Sequence, residues 1–152
     1  MDTPDRDTAS ARAFVERAGE HLRLPPPIME LLGIRLISVG DGEAVMEMDA
    51  TERHSNPMGT LHGGVLCDIA DAAMGIAYYS ALAPGESFTT LELKINFLKP
   101  IWKSRLTARG KIKKTGRSTA LLECDVQDEK GSLVAFVTST CLVLRADTAK
   151  GR

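Results

Sequence analysis

The sequence lacks the features that direct a protein to a membrane or to nucleic acid. Its formal net charge of −1 provides no broad positive surface that would attract nucleic acid or an anionic membrane. No apolar stretch is long enough to span a bilayer, and the N-terminus has neither the basic start nor the apolar core of a secretory signal. We therefore expect a cytoplasmic protein with no nucleic-acid partner and no membrane partner.

Cysteines are few, and the usual cofactor motifs are missing. The three cysteines, Cys67, Cys124 and Cys141, are widely spaced and form no Cys-x-x-Cys pair. This spacing favours neither a disulfide framework nor a zinc site, so we predict reduced cysteines in the core. The phosphate-loop, dinucleotide-binding and EF-hand patterns do not occur either. We predict no metal and no cofactor.

What the sequence does have is the length and composition of one domain with a short N-terminal addition. Its 152 residues are 43% apolar and 26% charged, which is ordinary for a single globular domain. Helical spacing of apolar and small residues predicts an amphipathic helix at about 8–22, and one more helical turn is predicted at 28–32. We assign residues 1–33 to this accessory helix and turn, residues 34–145 to the main domain and residues 146–152 to a frayed tail.

Much of the main domain is predicted to be β-structure. Two extended runs, at 34–39 and 44–48, flank Gly40-Asp41-Gly42, whose residue types suit a tight hairpin turn. Further along, apolar and polar residues alternate, as is typical of strands with one buried face. The apolar side chains predicted to be buried in the first of these later strands are Leu91, Leu93, Ile95 and Phe97. Three further strands are predicted at 106–113, 119–127 and 133–144.

One long segment of the main domain is predicted to be helical. Residues 64–82 are nearly uncharged, apolar on almost every face and rich in alanine. A helix of this composition is expected to be enclosed by the rest of the protein. One buried helix, preceded by a hairpin and followed by four strands, predicts an α+β protein whose antiparallel sheet curls around the helix.

The start of this helix contains the most informative residues. The stretch from Asn56 to Asp71 reads Asn-Pro-Met-Gly-Thr-Leu-His-Gly-Gly-Val-Leu-Cys-Asp-Ile-Ala-Asp. Asp68 and Asp71 carry two carboxylates into an apolar run, which is costly unless the carboxylates are paired, hydrogen-bonded or used. Gly63 and Gly64 allow a ligand to come close to backbone amides at a helix N-terminus. This combination points to an enzyme site.

Together these residues resemble the acyl-CoA thioesterases of the hot-dog fold, specifically the phenylacetate-degradation (PaaI-like) branch. As in that branch, Asn56 lies six residues before His62, and Asp71 lies eight residues after Gly63. The His-Gly-Gly group is moderately specific by itself, and the correctly spaced Asn and Asp make the match specific. The resemblance covers most of residues 57–144, including the stretches 90–100 and 131–140.

The resemblance implies both a fold and an activity. The fold is the hot-dog fold, in which an antiparallel sheet wraps around a long central helix. The activity is hydrolysis of a small or medium acyl- or aryl-CoA thioester to the free acid and CoA. The resemblance also implies a homodimer with sheets paired edge to edge, or a homotetramer of two such dimers. Each active site would lie at the dimer interface, with Asn56, His62 and Gly63 of one protomer facing Asp71 of its partner.

Five residues are assigned to the catalytic site. The Gly63 amide would stabilise the oxyanion, because amides at a helix start are preorganised donors. Asp71 would act as general base or as nucleophile, two routes that remain open at this point. On the same resemblance, Asn56 would orient the carbonyl or the water, and His62 would brace the loop rather than move protons. Thr90 matches a hydroxyl position that assists water placement in related enzymes.

Further residues are assigned to substrate binding. Thr89 is the alternative to Thr90, because the alignment with the family could shift by one residue. Gly64 is assigned with Gly63, since the two glycines together expose the backbone at the helix start. Asp68 lies about 60° from Asp71 around the helix, where it would tune the site or pair with a basic side chain. For the CoA phosphates, Lys113 and Arg117 are chosen from a basic cluster that would otherwise only solvate the surface. The cluster comprises Lys111, Lys113, Lys114 and Arg117.

Two other functions stay open beside hydrolysis. Related hot-dog domains bind acyl-CoA as sensors without hydrolysing it, and others are dehydratases that act on hydroxyacyl or enoyl thioesters. The presence of Asn56, Gly63 and Asp71 together favours hydrolysis, because a protein that only binds acyl-CoA does not need these three residues. A dehydratase would usually place its Asp and His in a different arrangement of loop and helix.

Overall fold

The chain folds as an antiparallel sheet of six strands that wraps around one long helix. The computed structural model describes residues 4–20 and 22–145, so the predicted tail at 146–152 lies outside the described residues. Within them the strand order is β1-β2-β4-β5-β6-β3, and neighbouring strands are antiparallel. The predicted α+β hot-dog fold is confirmed. The elements are α1 (Pro4–Ala18), α2 (Pro27–Leu32), β1 (Arg35–Gly40), β2 (Glu43–Ala50), α3 (Gly63–Ser80), β3 (Ser87–Phe97), β4 (Ser104–Thr115), β5 (Thr119–Gln127) and β6 (Leu133–Leu144), with a 3₁₀ turn at Glu52–His54.

The first hairpin forms at the predicted turn. Gly40 pairs with Glu43, which leaves a loop of two residues. Both loop residues have positive φ, with Asp41 at 53° and Gly42 at 75°. Positive φ at both positions defines the type I′ turn, whose twist matches that of the flanking strands. The prediction from Gly40-Asp41-Gly42 is confirmed.

The alternation along β3 is interrupted by a β-bulge. The pairing of β3 with β6 shifts at Leu91, so side chains before and after this residue alternate in opposite phase. Leu93 and Ile95 pack against the core as predicted. The predicted burial of Leu91 and Phe97 is wrong, because Leu91 is 56% exposed and Phe97 is 57% exposed. The bulge displaces Leu91, and Phe97 is the last residue of a strand at the edge of the sheet.

Helix α3 buries one face against the sheet and leaves the other open. Asp68 and Asp71 are exposed on the open face, and Cys67 is only half-buried there. The predictions of a fully enclosed helix and of a core position for Cys67 are therefore wrong, because no other element of the described chain covers this face completely. Cys124 and Cys141 are buried as predicted. The buried residues of α3 are Val65, Leu66, Ile69, Ala70, Ala73, Met74, Ala77 and Tyr78.

A glycine in β4 lets α3 lie very close to the sheet. A β-carbon at Gly110 would be 2.5 Å from the carbonyl carbon of Ala73, closer than non-bonded atoms can come. Only glycine therefore fits where β4 passes under the middle of the helix. This contact fixes the depth of α3 and, with it, the height at which Asp68 and Asp71 project from the open face.

The N-terminal helix extends the core beyond the end of α3. The structure has α1 at Pro4–Ala18, four residues earlier at each end than predicted, and Gly19 follows its last residue. Phe14 and Ala18 pack in a second apolar cluster with Ala77 of α3. The predicted helical turn is α2, which ends at Gly33 with a left-handed φ of 71°. The division of the chain at residue 33 into two parts stays a prediction.

The two edges of the sheet differ in what covers them. At one edge α1 contacts β1, and the Ser10 hydroxyl accepts a hydrogen bond from the Val39 amide at 3.3 Å. At the other edge β3 pairs with β6 and with no other strand of the described chain. This second edge is 11 residues long and exposes Leu91 and Phe97. A long unpaired edge with apolar side chains is a surface for pairing with another chain.

An ion pair fixes the chain where β3 leads toward β4. Lys99 Nζ lies 2.5 Å from Asp128 Oδ2 in the turn before β6. Asp128 Oδ1 accepts hydrogen bonds from the amides of Lys130 and Ser132, at 3.0 and 2.9 Å. Lys99 and these amides hold the pKa of the Asp128 carboxyl below its usual range. The segment anchored in this way supports the loop before α3, because the Ile101 carbonyl accepts a hydrogen bond from the Leu61 amide at 2.6 Å.

Candidate active site

Asn56 shapes the loop that leads into α3. Its Oδ1 accepts a hydrogen bond from the Met58 amide at 2.9 Å, and its Nδ2 donates one to Thr60 Oγ1 at 2.8 Å. The loop turns at Gly59, whose φ is 84°. A side-chain amide has two donor hydrogens and two acceptor positions. The contacts within the described residues use one of each, so Asn56 could still bind a ligand or a water.

His62 caps the N-terminus of α3. Its Nδ1 accepts a hydrogen bond from the Gly64 amide at 2.9 Å. A neutral ring that accepts at Nδ1 carries its proton on Nε2, so this geometry makes His62 a structural acceptor. Glycine is needed at position 64, because a β-carbon there would be 2.9 Å from His62 Nδ1. Gly64 and His62 therefore form one capping unit.

The Gly63 amide is the donor left over at this helix start. The Gly64 amide is taken by His62, and the Val65 amide donates to the His62 carbonyl at 3.0 Å. The Gly63 amide has no acceptor among residues 4–20 and 22–145, and the helix dipole adds partial positive charge there. The Phe97 ring lies over Gly63, since a β-carbon at position 63 would be 2.9 Å from Phe97 Cζ. No pattern along the sequence signals this contact.

Asp71 of α3 lies next to Thr90 of β3. Thr90 Oγ1 lies 3.3 Å from Asp71 Oδ1, to which it donates, and 3.9 Å from Cys141 Sγ. Thr89 faces the other side of the strand, because successive side chains in a strand point in opposite directions. Solvent reaches Asp71 in the single chain, yet the protein around it raises the pKa of its carboxyl. Burial is the main cause, the Thr90 hydrogen bond opposes it, and the negative charge of Asp68 adds to it.

Asp68 lies one turn before Asp71 on the same open face. Burial raises the pKa of its carboxyl as well, and the nearby His62 ring acts in the opposite direction. It has no ion pair with a basic residue in the described part of the chain. Its negative charge disfavours the ionised form of Asp71 and so contributes to the raised pKa of that carboxyl.

Gly63 and Asp71 of the same chain do not meet at one carbonyl group. They are eight residues apart on α3, which corresponds to about 12 Å along the helix axis. A hydrogen bond to an oxyanion and an attack on the same carbonyl carbon each need contact at about 3 Å. One chain therefore holds the predicted residues in two separate groups, which we call half-sites, with Asn56, His62 and Gly63 in the first and Asp71 and Thr90 in the second.

The predicted CoA-binding cations lie far from the start of α3. That start is close to the beginning of β4, through Leu61 and Ile101, whereas Lys113 is near the other end of the strand. Lys113 Nζ is 3.2 Å from Glu123 Oε1, so its charge is partly balanced. Arg117 lies in the turn between β4 and β5. Within one chain the structure therefore places these cations away from the group of Asn56, His62 and Gly63.

A pocket of about 460 Å³ opens beside Asp68 and Asp71. It lies between α3, the segment at residues 22–29 and the first residues of β3, and most of its lining side chains are apolar. The sequence does not predict it, because its walls come from three distant parts of the chain. In the part of the chain that the structure describes, no helix is long and apolar enough to cross a membrane. The same residues contain no group of three or more His, Cys, Asp or Glu side chains that could hold a metal ion.

Comparison with known families identifies the class of protein. The thioesterase superfamily matches residues 58–135, which is half of the chain. This range contains the start of α3, both carboxylates of its open face and Thr90. The chain belongs to the thioesterase superfamily and is a thioester hydrolase.

Individual relatives place the chain among the PaaI-like members. It is 32% identical to 1,4-dihydroxy-2-naphthoyl-CoA hydrolase of Listeria monocytogenes, over 76% of this chain and 94% of that protein. It is 30% identical to acyl-coenzyme A thioesterase PaaI of Escherichia coli, over 69% of this chain and 74% of that protein. The solved structure of Escherichia coli PaaI, from the phenylacetic acid degradation operon, has a TM-score of 0.77 at 25% identity and covers 90% of this chain and 95% of its own. The predicted PaaI-like resemblance is confirmed.

Proposed function

We propose that the protein is an acyl-CoA thioesterase whose active sites form between two copies of the chain. The observation that carries this proposal is the separation of about 12 Å between Gly63 and Asp71 on one helix. Each half-site has chemistry suited to a thioester and needs a complement. A second copy supplies that complement, because a two-fold dimer can place the first half-site of each chain opposite the second half-site of the other.

The bare edge of β3 is the surface that suits such a dimer. In an antiparallel pair of β3 strands, the Phe97 end of one strand lies toward the Ser87 end of the other. Phe97 covers Gly63, and Thr90 contacts Asp71, so this pairing brings the first half-site of one chain toward the second half-site of its partner. The pairing also satisfies the free backbone groups of the edge and covers Leu91. Assembly of two dimers into a tetramer stays a prediction.

Hydrolysis follows from the two half-sites acting on one carbonyl group. The Gly63 amide of one chain donates to the carbonyl oxygen and stabilises the negative charge that develops on it. In the general-base route, Asp71 of the other chain takes a proton from water while the water oxygen attacks the carbonyl carbon. Collapse of the tetrahedral intermediate breaks the C–S bond, and the CoA thiolate receives the proton. In the nucleophilic route, Asp71 itself attacks the carbonyl carbon, the C–S bond breaks and CoA leaves as its thiolate. Water then cleaves the resulting anhydride to the free acid and the Asp71 carboxylate.

The remaining residues position these groups. Thr90 holds one carboxylate oxygen of Asp71, which limits its rotation. His62 fixes the helix start through Gly64 and so aims the Gly63 amide. Asn56 contributes its remaining donor hydrogen to the carbonyl or the water. Lys113 and Arg117 stay candidates for contact with the CoA phosphates, at the end of the sheet that the dimer would bring nearer to the partner's Gly63.

A panel of thioesters tests the proposed function. We expect the purified protein to release free thiol from aryl- or medium-chain acyl-CoA with a kcat/KM above about 10⁴ M⁻¹ s⁻¹, which is the lower range for natural enzymes. Thiol release would be followed with a colorimetric reagent, and binding of the same thioesters would be measured by calorimetry. Tight binding of acyl-CoA without thiol release would contradict the proposal and indicate a sensor.

The acid side of the pH profile should report Asp71. Because burial raises the pKa of this carboxyl and only its ionised form is a base or nucleophile, kcat/KM should fall in acid with an apparent pKa above the ordinary aspartate range. The Thr90 hydrogen bond lowers that pKa, so Thr90→Val should move the acid limb to higher pH. The measurement is kcat/KM against pH for both proteins. A limb that stays in place or moves to lower pH in Thr90→Val would contradict this assignment.

A further inference from the structure

The pocket beside Asp71 continues along the open face of α3. Asp71, Ala72, Gly75 and Tyr79 recur at intervals of one to four residues and all line it. Residues spaced by three and four lie on one side of a helix, so these side chains form a single stripe. The stripe starts at the carboxylate and runs about 12 Å along the helix axis to Tyr79. At the far end, the Tyr79 ring meets the Phe14 ring of α1 edge-on at 6.1 Å.

The opposite wall comes from the N-terminal part of the chain. Phe88 of β3 lines the side of the pocket, and the residues across from α3 include Leu22, Arg23, Leu24 and Ile28. The pocket is within the usual size range of small-molecule sites, which are mostly apolar with a few polar groups. Its carboxylates, Asp68 and Asp71, are both at the end nearest the reaction, and most of the other lining side chains are apolar. Among the residues that the structure describes, Arg23 is the one other charged residue of this lining and is exposed to solvent, so the remaining, mostly apolar part of the pocket suits an uncharged apolar group.

Gly75 is unusual in this helix. A glycine in a helix interior is less favourable than alanine by about 0.8–1.0 kcal/mol. Its φ is not positive, so the backbone conformation at this position does not require glycine. A β-carbon at Gly75 would be 3.3 Å from Phe88 Cζ, which is close but can be relieved by a small shift. Glycine lets the Phe88 ring lie against the helix here and leaves this part of the pocket wall without a side chain.

We propose that the acyl or aryl group of the substrate occupies this pocket and that Gly75 sets the size of the group accepted. This inference rests on the proposed thioesterase function. The carbonyl lies at Asp71, the acyl group runs past Gly75 toward Tyr79 in the same chain, and the CoA part leaves toward the partner. The pocket length and volume suit aryl or medium-chain acyl groups, whereas an acetyl group leaves most of it empty.

Substitutions at Gly75 test the inference directly. A leucine at this position should fill the middle of the pocket, so the ratio of kcat/KM for decanoyl-CoA to that for acetyl-CoA should fall by at least about tenfold. An arylacetyl-CoA should lose activity relative to acetyl-CoA in the same way. Gly75→Ala should shift both ratios in the same direction by less. Alanine also improves helix propensity, so this variant keeps the test valid if Gly75→Leu does not fold.

A matched pair on α2 tests the opposite wall. Ile28 and Leu31 are both large apolar residues on this helix, 49% and 74% exposed, but only Ile28 lines the pocket. We expect Ile28→Ala to enlarge the pocket and change the ratio of decanoyl-CoA to acetyl-CoA hydrolysis severalfold. Leu31→Ala should keep the wild-type ratio. The ratio separates a change in pocket size from a general loss of stability, which would affect all substrates together.

The possible results distinguish the inference from the function on which it rests. If Gly75→Leu and Gly75→Ala each lowered kcat/KM by the same factor for every acyl length, the pocket assignment would be overturned. The proposed function would still stand in that case, provided that the wild type hydrolyses the thioesters. Equal ratios in the Ile28 and Leu31 variants would also overturn it. A wild-type protein that hydrolysed none of the thioesters would overturn the proposed function, and the inference with it.

Discussion

Replacing Asp71 with asparagine is expected to lower kcat for thioester hydrolysis by about 10²–10⁴-fold, the range for loss of a positioned general base. Asparagine keeps the shape of the side chain and can still accept the hydrogen bond from Thr90, so binding and fold should persist. The measurements are steady-state kinetics with the best acyl-CoA and circular dichroism of the folded protein. Asp68→Asn is the matched control, because it removes a carboxylate from the same helix face. Its effect on kcat should stay below about tenfold.

The same substitution should make the protein more stable at neutral pH. Burial raises the pKa of Asp71 above its value in the unfolded chain, so the ionised form destabilises the fold. The contribution of protonated Asp71 to the stability of the wild type is therefore fully present below the unfolded pKa and is lost as pH rises through the folded pKa. The asparagine side chain never ionises, so the variant should have the higher Tm at neutral pH and an equal Tm in acid. Unchanged turnover in Asp71→Asn would contradict the catalytic assignment, whatever its Tm.

Mixed dimers should recover the activity that two defective chains lack. Gly63→Val is expected to lower kcat by about 10²–10³-fold, because a side chain at this position obstructs the amide and displaces the Phe97 ring. A dimer of one Gly63→Val chain and one Asp71→Asn chain contains one intact site, made of Gly63 from the second chain and Asp71 from the first. Co-expressed chains with different tags allow such dimers to be purified. They should show about half of the wild-type kcat per dimer.

The control for this experiment places both substitutions in one chain. A dimer of the double variant with a wild-type chain has no intact site if each site spans two chains, so it should be nearly inactive. A site contained within one chain would give the reverse pattern, with half activity in this control and none in the first mixture. The two mixtures contain the same substitutions in the same amounts, so only their distribution between chains differs.

The regular parts of the fold were predictable, and the irregular parts depend on contacts that the sequence does not display. The hairpin turn and the strands from β4 to β6 follow from residue types and spacing that act over short distances. The bulge at Leu91 depends on the register of β3 against β6, and it reverses which side chains are buried. Exposure of Asp68 and Asp71 depends on what covers α3, which a pattern along the helix cannot report.

The residues of the candidate site divide in the same way, into those that lie close together in the sequence and those that do not. Asn56, His62, Gly63 and Asp71 are close in sequence and fall within one loop and one helix, so their spacing could be compared directly with a known family. Phe97 reaches Gly63 from the other end of β3, and the pocket walls come from residues 22–29. Such contacts arise only when distant segments pack together. The basic cluster around Lys113 was grouped by sequence position, which does not reveal the end of the sheet to which it belongs.

The cover that α1 provides for β1 limits how far the protein can assemble. Strand pairing adds chains one after another for as long as each new chain offers a bare edge, and such growth produces filaments. Here the Ser10 hydroxyl of α1 accepts a hydrogen bond from the Val39 amide of β1, so this edge of the sheet is already covered within the chain. Two copies that join through β3 thus have covered strands at both outer ends. In the proposed dimer, the N-terminal helix would therefore prevent further edge-to-edge pairing and limit it to two chains.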